Sequence, residues 1–267
     1  MSEALEIVAR TDPGKVRGHN EDAVFIDPAR GLAILADGMG GYNAGEVASG
    51  IATSFLASAL ETSFFDPVDG VSEAGGRPSA SDSFAESIRQ ANLAIYNAAC
   101  SEPVYAGMGT TLVMALFFDN RITVAHIGDS RLYRLRDGRF TAMTRDHSLL
   151  QEQIDRGMIS TEEARFARNK NLVTRALGVE PSVESEIHTY DARPGDIYLL
   201  CSDGLNDMVS DEEIHQILRR RPDDLAMAAD RLVWAANEHG GRDNVSVILI
   251  RVLRAFPEEP GQTGSQG

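Results

Sequence analysis

The sequence predicts an α+β fold in which antiparallel β-sheets are layered against pairs of helices. Segments with the residue alternation of β-strands come in groups, and helical segments come in pairs between those groups. Short turns such as Asp119-Asn120 separate neighbouring strand segments, as antiparallel pairing allows. A regular alternation of one strand with one helix, which would predict a parallel sheet, fits the chain poorly.

The predicted strands are short segments bounded by turn residues. Asp137-Gly138 lies between two of them in a pattern typical of a hairpin turn. The four segments between residues 110 and 143 are close in sequence, which predicts an antiparallel meander. The strands are predicted at residues 5–10, 23–27, 31–36, 110–118, 121–127, 131–136, 140–143, 183–188, 197–201 and 245–253.

The predicted helices have apolar residues at the helical period. The predicted inner face of the first helix is formed by Val47, Ile51, Phe55 and Ala59, and it is widened by Ala48, Ala52 and Leu56. Asp211 is predicted to cap the N-terminus of a later helix. The helices are predicted at residues 46–59, 83–99, 149–167, 211–218 and 224–239.

The composition excludes several classes of protein. Of the 267 residues, 43% are hydrophobic and 24% charged, as in soluble globular proteins. The formal net charge of −15 argues against nucleic-acid and membrane partners, because both require a basic surface. The chain shows no signal peptide and no membrane-spanning run, and Cys100 and Cys201 are too few for a disulfide framework. We therefore expect a cytoplasmic monomer.

Two apolar segments end in the same way, in an aspartate followed by a glycine. The first leads into Asp37-Gly38 and the second, far downstream, into Asp203-Gly204. An isolated Asp-Gly pair is ordinarily a turn. Two strands that end in this way can instead deliver two carboxylates to one place, as a site for a hard cation requires.

Further carboxylates lie beside predicted strands. Asp129 and Asp243 stand in glycine-containing segments next to strands, and Glu21 and Asp22 come just before one. A separate turn at each of these positions explains the pattern less well as the number of acidic residues beside strands increases. The sequence therefore predicts that the carboxylates converge on a cation site.

The predicted ligands are oxygen donors, which favours magnesium or manganese over zinc. The histidines show no paired spacing, so His126 is interpreted as structural and His147 as a residue that orders a loop without a catalytic role. Two such cations can activate a water and hold a phosphoryl group. Arg17, just ahead of the acidic pair, is the predicted partner of the phosphoryl oxygens because guanidinium bonds two oxygens at once.

The motifs together resemble the protein phosphatase 2C (PPM) family of metal-dependent serine/threonine phosphatases, in its bacterial form. The resemblance runs from about residue 12 to residue 252, and the ordered set is more specific than any single motif. The motifs are residues 12–22 (DPGKVRGHNED), 36–41 (ADGMGG), 109–111 (GTT), 128–131 (GDSR), 145–148 (RDHS), 174–178 (TRALG), 202–205 (SDGL) and 243–244 (DN).

The resemblance implies a four-layer αββα sandwich, with two antiparallel β-sheets flanked by helices on both sides. It also implies two Mn²⁺ or Mg²⁺ ions bridged by Asp37, with the Gly38 carbonyl bound to one of them. Asp203 and Asp243 would complete the carboxylate ligands. Asp129 would hold, together with Asp203, the third ion described for bacterial members.

The resemblance also implies roles around the metals. Arg17 would bind the substrate phosphate, while Glu21, Asp22 and Asn244 would surround the ions and act mainly through bound water. The nucleophile would be the metal-bridging water, attacking without a phosphoenzyme. Some relatives carry a histidine directly after the first Asp-Gly, where this chain has Met39, so the sequence identifies no general acid.

Residues 1–255 are predicted to form a single catalytic domain. Residues 148–173 correspond in position to the variable flap that family members carry beside the site. The Pro, Gly and Ser content of residues 66–82 predicts a flexible loop, and residues 256–267 are predicted to be a disordered polar tail.

The predicted activity is metal-dependent hydrolysis of phosphoserine and phosphothreonine in proteins, including targets of a serine/threonine kinase and the kinase itself. Arg156, Arg165, Arg168 and Lys170 make the flap locally basic, either as a solvated helix face or as a surface for phosphorylated partners. Two alternatives stay open, a catalytically silent binding module of the same fold and a phosphatase for small phosphate esters. The intact carboxylates and Arg17 argue against the first, and the flap argues against the second.

Overall fold

The computed structural model describes residues 1, 3–41, 43–65, 79–160, 163, 172–220 and 224–256. In these ranges no helix combines the length and the apolar character needed to cross a membrane. The strands are β1 (Leu5–Asp12), β2 (Asp22–Asp27), β3 (Leu32–Met39), β4 (Gly109–Thr110), β5 (Leu112–Phe118), β6 (Arg121–Ile127), β7 (Arg131–Arg136), β8 (Arg139–Ala142), β9 (Glu186–Asp191), β10 (Ile197–Cys201) and β11 (Val245–Val252). The helices are α1 (Ala44–Leu60), α2 (Ala80–Ser101), α3 (Leu149–Asp155), α4 (Asp203–Asn206), α5 (Asp211–Arg220) and α6 (Leu225–Glu238).

Two antiparallel sheets are stacked face to face. The first has the strand order β1-β11-β10-β7-β8, and the second has the order β2-β3-β5-β6-β9 with β4 paired to β3. The helices α1 and α2 pack on the outer face of the second sheet, and α5 and α6 pack on the outer face of the first. The predicted αββα sandwich is therefore confirmed.

The core between the sheets is built from the alternate residues of facing strands. Phe117 of the second sheet and Tyr198 of the first are fully buried there, with ring centroids 5.3 Å apart in an edge-to-face arrangement. Burying such aromatic pairs fixes the two sheets against each other. The strand ends that carry the acidic residues are thus held on one rigid frame.

The buried face of α1 is centred on residues that were predicted only to widen it. Ala48, Ala52 and Leu56 are fully buried, whereas Val47 and Ile51 are only partly buried. Small side chains allow the helix backbone to lie close to β3, so packing favours the alanine-rich face over the more hydrophobic one. The predicted inner face was therefore displaced by about one residue around the helix.

The predicted meander over residues 110–143 was wrong. The hairpin β5–β6 belongs to the second sheet, and the hairpin β7–β8 belongs to the first. The chain crosses between the sheets directly after β6, where Gly128 has a φ of +98°. Residue alternation identifies a strand but not the sheet that it joins. The consequence is that Asp129 stands on the crossover between the two sheets.

Several element ends also differ from the prediction. Asp211 is the first residue of α5 rather than its cap, since Ser210 Oγ accepts a hydrogen bond from the Glu213 amide at 3.3 Å. The helix α2 begins at Ala80, with Ser79 as its cap. The helix α3 ends earlier than predicted, and of the flap residues that follow it only 156–160, 163, 172 and 173 are among the described residues. Most of the predicted loop and all but the first residue of the predicted tail also lie outside them.

Candidate metal centre

A cleft of about 210 Å³ opens where the acidic strand ends of both sheets meet. The residues that surround it come from β3, from the segments ahead of β2 and β11, from the crossover after β6 and from the start of α4. They are Arg17, Glu21, Asp37, Gly38, Met39, Gly40, Thr111, Asp129, Val173, Asp203 and Asp243. The predicted carboxylates are therefore brought together.

Asp37 lies at the end of β3, directly opposite Asp22 of β2. The carboxylate of Asp22 is buried behind the cleft, where its Oδ2 accepts a hydrogen bond from Ser202 Oγ at 2.8 Å. Ser202 immediately precedes Asp203, so the first and second Asp-Gly segments are connected through Asp22. This connection joins the two sheets at the site.

Asp243 and Arg17 form an ion pair at the rim of the cleft. Arg17 Nη2 donates to Asp243 Oδ2 at 2.6 Å, and this hydrogen bond raises the pKa of the guanidinium. About half of the Arg17 side chain is exposed. The guanidinium is thus both anchored by Asp243 and open to the cleft.

Asn244 connects two segments that precede the strands of the site. Its Oδ1 accepts from the Glu21 amide at 2.8 Å, and its Nδ2 donates to the carbonyl oxygens of Pro13 and His19 at 3.0 and 2.9 Å. Asn244 does not line the cleft. It therefore positions the segment that carries Arg17, consistent with the predicted supporting place around the site.

Thr111 and Ser130 hold Asp37 and the crossover together, a contact that sequence reasoning missed. The amide of Asp37 donates to Thr111 Oγ1 at 3.1 Å, and Thr111 Oγ1 lies 2.7 Å from Ser130 Oγ. Thr110 Oγ1 also donates to the carbonyl of Asp37 at 2.8 Å. The Gly-Thr-Thr motif was visible in the sequence, but its partners could only be identified in three dimensions.

Glycine is required at two places because backbones approach closely there. A Cβ on Gly38 would lie 2.1 Å from the carbonyl oxygen of Gly45 in α1, and one on Gly204 would lie 2.0 Å from that of Asn244. Both are the glycines of the Asp-Gly strand ends. Because these two glycines have no side chain, α1 and the segment before β11 can pack directly against the acidic segments.

The electrostatics of the cleft favour a bound cation. Burial raises the pKa of Asp37 and Asp203 well above the ordinary aspartate range, and neighbouring carboxylates raise both further. Burial also raises the pKa of Asp22 and Asp129 to about 6. Within the described residues the buried atoms Glu21 Oε1 and Asp22 Oδ1 have no hydrogen-bond partner. An all-oxygen set of this kind fits hard divalent ions, which would offset the repulsion.

Asp207 is a further acidic residue near the cleft that the sequence did not single out. It follows α4 and raises the pKa of both Asp129 and Asp203 through its charge. No helix was predicted over residues 203–207, so the spacing of four residues from Asp203 carried no signal in the sequence. Among the described residues that line the cleft, Met39 occupies the position after Asp37-Gly38, and none is a histidine.

Comparison with known proteins gives one consistent result. The sequence profile of a family described as Protein phosphatase 2C matches residues 16–234. The serine/threonine protein phosphatase PstP of Mycobacterium tuberculosis is 44% identical over 249 residues, which cover 93% of this chain and 45% of that protein. The chain thus spans about half the length of that relative.

A further relative, and the solved catalytic domain of PstP, match over nearly their whole length. The serine/threonine phosphatase stp of Listeria innocua is 38% identical over 245 residues, covering 90% of this chain and 93% of that protein. The crystal structure of the catalytic domain of PstP in complex with two manganese ions is 41% identical. It superposes with a TM-score of 0.80 and covers 94% of this chain and 99% of that one.

Proposed function

The chain belongs to the protein phosphatase 2C family, and on that basis we propose that it is a metal-dependent phosphatase for phosphoserine and phosphothreonine in proteins. The observation that carries the proposal is the convergence of Asp37, Asp129, Asp203 and Asp243 on one cleft beside Arg17. The resemblance seen in the sequence is confirmed by the family match. The partners we propose are phosphorylated proteins, including kinase targets and the kinase itself.

The carboxylates are proposed to bind two divalent ions, manganese or magnesium. Support comes from their all-oxygen donor set, their mutual repulsion in the metal-free chain and the two manganese ions in the related PstP structure. Asp37 is the proposed bridging ligand, with Gly38, Asp203 and Asp243 beside it. Asp129, which lines the same cleft and whose charge raises the pKa of Asp203, is proposed to hold a third ion together with Asp203.

The bound ions would supply an activated water and positive charge for the phosphoryl oxygens. Arg17 is proposed to bind and orient the phosphate, because its guanidinium is fixed by Asp243 and open to the cleft. Asp22 and Asn244 hold the acidic segments from behind and do not line the cleft. We expect direct hydrolysis, which places one solvent oxygen in the released phosphate and leaves no phosphoenzyme.

The test is phosphate release from a phosphoserine peptide, a phosphothreonine peptide and a small aryl phosphate, with manganese, magnesium or chelator. We expect release from both peptides only with metal, and a loss of about 10²–10³-fold or more in Asp203→Asn. Asp137→Asn is the matched control, since Asp137 is an exposed hairpin residue with a φ of 50° that asparagine tolerates. Turnover of the aryl phosphate alone would indicate a small-ester phosphatase, and no metal-dependent turnover would indicate a binding module.

A further inference from the structure

His147 is held against the crossover that carries Asp129. Its amide donates to the carbonyl oxygen of Gly128 at 2.8 Å, and its imidazole Nδ1 accepts from the Gly128 amide at 3.1 Å. One residue therefore bonds the peptide groups on both sides of Gly128. The group that carries the Gly128 carbonyl oxygen joins directly to Asp129, and the group that carries the Gly128 amide, which the imidazole holds, precedes it. Gly128 is also confined from the opposite side, where a Cβ would lie 2.7 Å from Thr111 Cγ2.

The other hydrogen bonds of His147 fix its ring. Since Nδ1 is an acceptor, the proton of the neutral ring lies on Nε2, which is 3.1 Å from Glu186 Oε1 and donates to it. The ring stacks on His126 with centroids 4.7 Å apart, and His126 Nε2 donates to the carbonyl oxygen of Arg145 at 2.8 Å. The ring is thus fixed in position and tautomer.

The close grouping of His126, His147 and Glu186 is also the arrangement of a possible metal site. The hydrogen bonds oppose that interpretation, because both Nε2 atoms carry protons that are donated to protein oxygens. A metal on His147 Nε2 would require the proton on Nδ1, where the Gly128 amide already donates. The cluster is therefore organised for positioning and not for metal binding.

The backbone of His147 extends the same connection to the far wall of the cleft. Its carbonyl oxygen accepts from the Thr174 amide at 2.8 Å, and the next residue, Ser148, pairs with Val173, which lines the cleft. The ion pair of Arg131 with Asp146, at 2.8 and 2.7 Å, holds the same segment to β7. The Asp129 side and the Val173 side of the cleft are therefore joined through one residue.

We propose that His147 is a positioning residue that holds Gly128, and through it Asp129, in the geometry needed for the proposed third metal site. The proposal rests on the proposed function, since it assigns a support to one of its metal ligands. The imidazole acts through the backbone of the crossover and touches neither substrate nor metal. Its Nδ1 acceptor is the essential group, and the contact of Nε2 with Glu186 is secondary.

Two substitutions distinguish the role of Nδ1 from the role of Nε2. His147→Asn retains an acceptor near the position of Nδ1, and His147→Gln retains a donor near Nε2 while the acceptor for the Gly128 amide is lost. We expect His147→Gln to weaken manganese binding at the proposed third site by about 10–100-fold in calorimetry, with the other two sites unchanged. His147→Asn should stay within about threefold of the unmodified protein. Glu186→Gln, the control, keeps an acceptor for Nε2 and should change no site.

Equal losses in His147→Asn and His147→Gln, or no loss in either, would overturn the proposal. If His147→Gln fails to fold, amide exchange of Gly128 in the unmodified protein still decides, since a bonded amide exchanges slowly and an unbonded one does not. Metal binding is measured without substrate, so it is independent of activity. An unmodified protein that binds manganese but hydrolyses no phosphopeptide contradicts the proposed function and leaves this inference standing.

Discussion

Asp37, Asp129 and Asp203 line one cleft, Asp129 buried and the other two half-buried, although neighbouring carboxylates oppose their ionisation. Burial is the largest cause of the raised pKa values of these three side chains, and the charges of neighbouring carboxylates raise the values further. Such groups weaken the metal-free fold near neutral pH. At the scale of the residue, the same arrangement that lowers stability prepares the cleft for cations.

Asp129→Asn should therefore stabilise the metal-free protein at pH 7. The folded-state pKa of Asp129 is raised from 3.8 to about 6, so its contribution to stability is fully present below pH 3.8 and is lost as the pH rises through about 6. The substitution removes this loss of folding stability, which is on the order of 1–3 kcal/mol in the free energy of unfolding. Denaturant unfolding in chelator at pH 4 and pH 7 measures the effect. A variant less stable than the unmodified protein at pH 7 would contradict the expectation.

Arg17→Ala should lower kcat/KM for phosphopeptides by about 10–100-fold. The guanidinium lines the cleft and is fixed by Asp243, so its loss removes the positive partner of the phosphate. Arg139→Ala removes an exposed charge outside the cleft and serves as the control. Steady-state kinetics at saturating manganese give the comparison, and equal values for the two variants would rule out a phosphate-binding role for Arg17.

At the scale of the element, the site depends on how strand ends are fastened to one another. The strand β3 presents Asp37, but the register of its last residues is secured by Thr110 and Thr111. Thr111 in turn reaches Ser130 on the crossover between the sheets. The distance between the Asp37 side and the Asp129 side of the cleft is thus set by buried hydroxyl contacts.

Thr111→Val should weaken metal binding as well as stability. The substitution leaves the Asp37 amide and the Ser130 hydroxyl without their shared partner, at a cost of about 1–3 kcal/mol. Thr123→Val is the control, because Thr123 is equally buried and bonds Thr189 at 3.0 Å between β6 and β9, outside the cleft. We expect comparable losses in thermal stability but weaker manganese binding only in Thr111→Val.

At the scale of the whole molecule, the carboxylates come from both sheets. Asp37 ends a strand of the second sheet, Asp203 and Asp243 adjoin strands of the first, and Asp129 lies on the crossover. The unfolded chain cannot present this set together. Ions that bind it must therefore favour the folded state by mass action.

Manganese should raise the unfolding temperature of the protein. At a free concentration about 100 times the dissociation constant, one site adds about 2.7 kcal/mol, which corresponds to a shift of roughly 5–10 °C for a chain of this size. Asp37→Asn should lose most of the shift, and Asp137→Asn, in the hairpin turn, should retain it. Differential scanning calorimetry with and without chelator provides the measurement. An equal shift in both variants would place the ions elsewhere.

Local sequence patterns determined the positions of most strands and turns of this protein and the acidic residues of the cleft. The alternation of residues located the strands, the Asp119-Asn120 and Asp137-Gly138 turns were recognisable from their chemistry, and both turns have the positive φ values that their residues tolerate. The two Asp-Gly strand ends predicted a shared cation site from the sequence alone. These features depend on neighbours in sequence, so one chain carries enough information to identify them.

Other features were decided only by tertiary structure. The sheet that β7 and β8 join, the alanine-rich buried face of α1, and the bonds of Thr111 to Ser130 and of His147 to Gly128 all involve partners distant in sequence. Alternation gives the same signal for either sheet, and a hydroxyl or imidazole does not reveal its partner. Close packing selects among these possibilities, because only one arrangement fills the core and satisfies the buried polar groups at once.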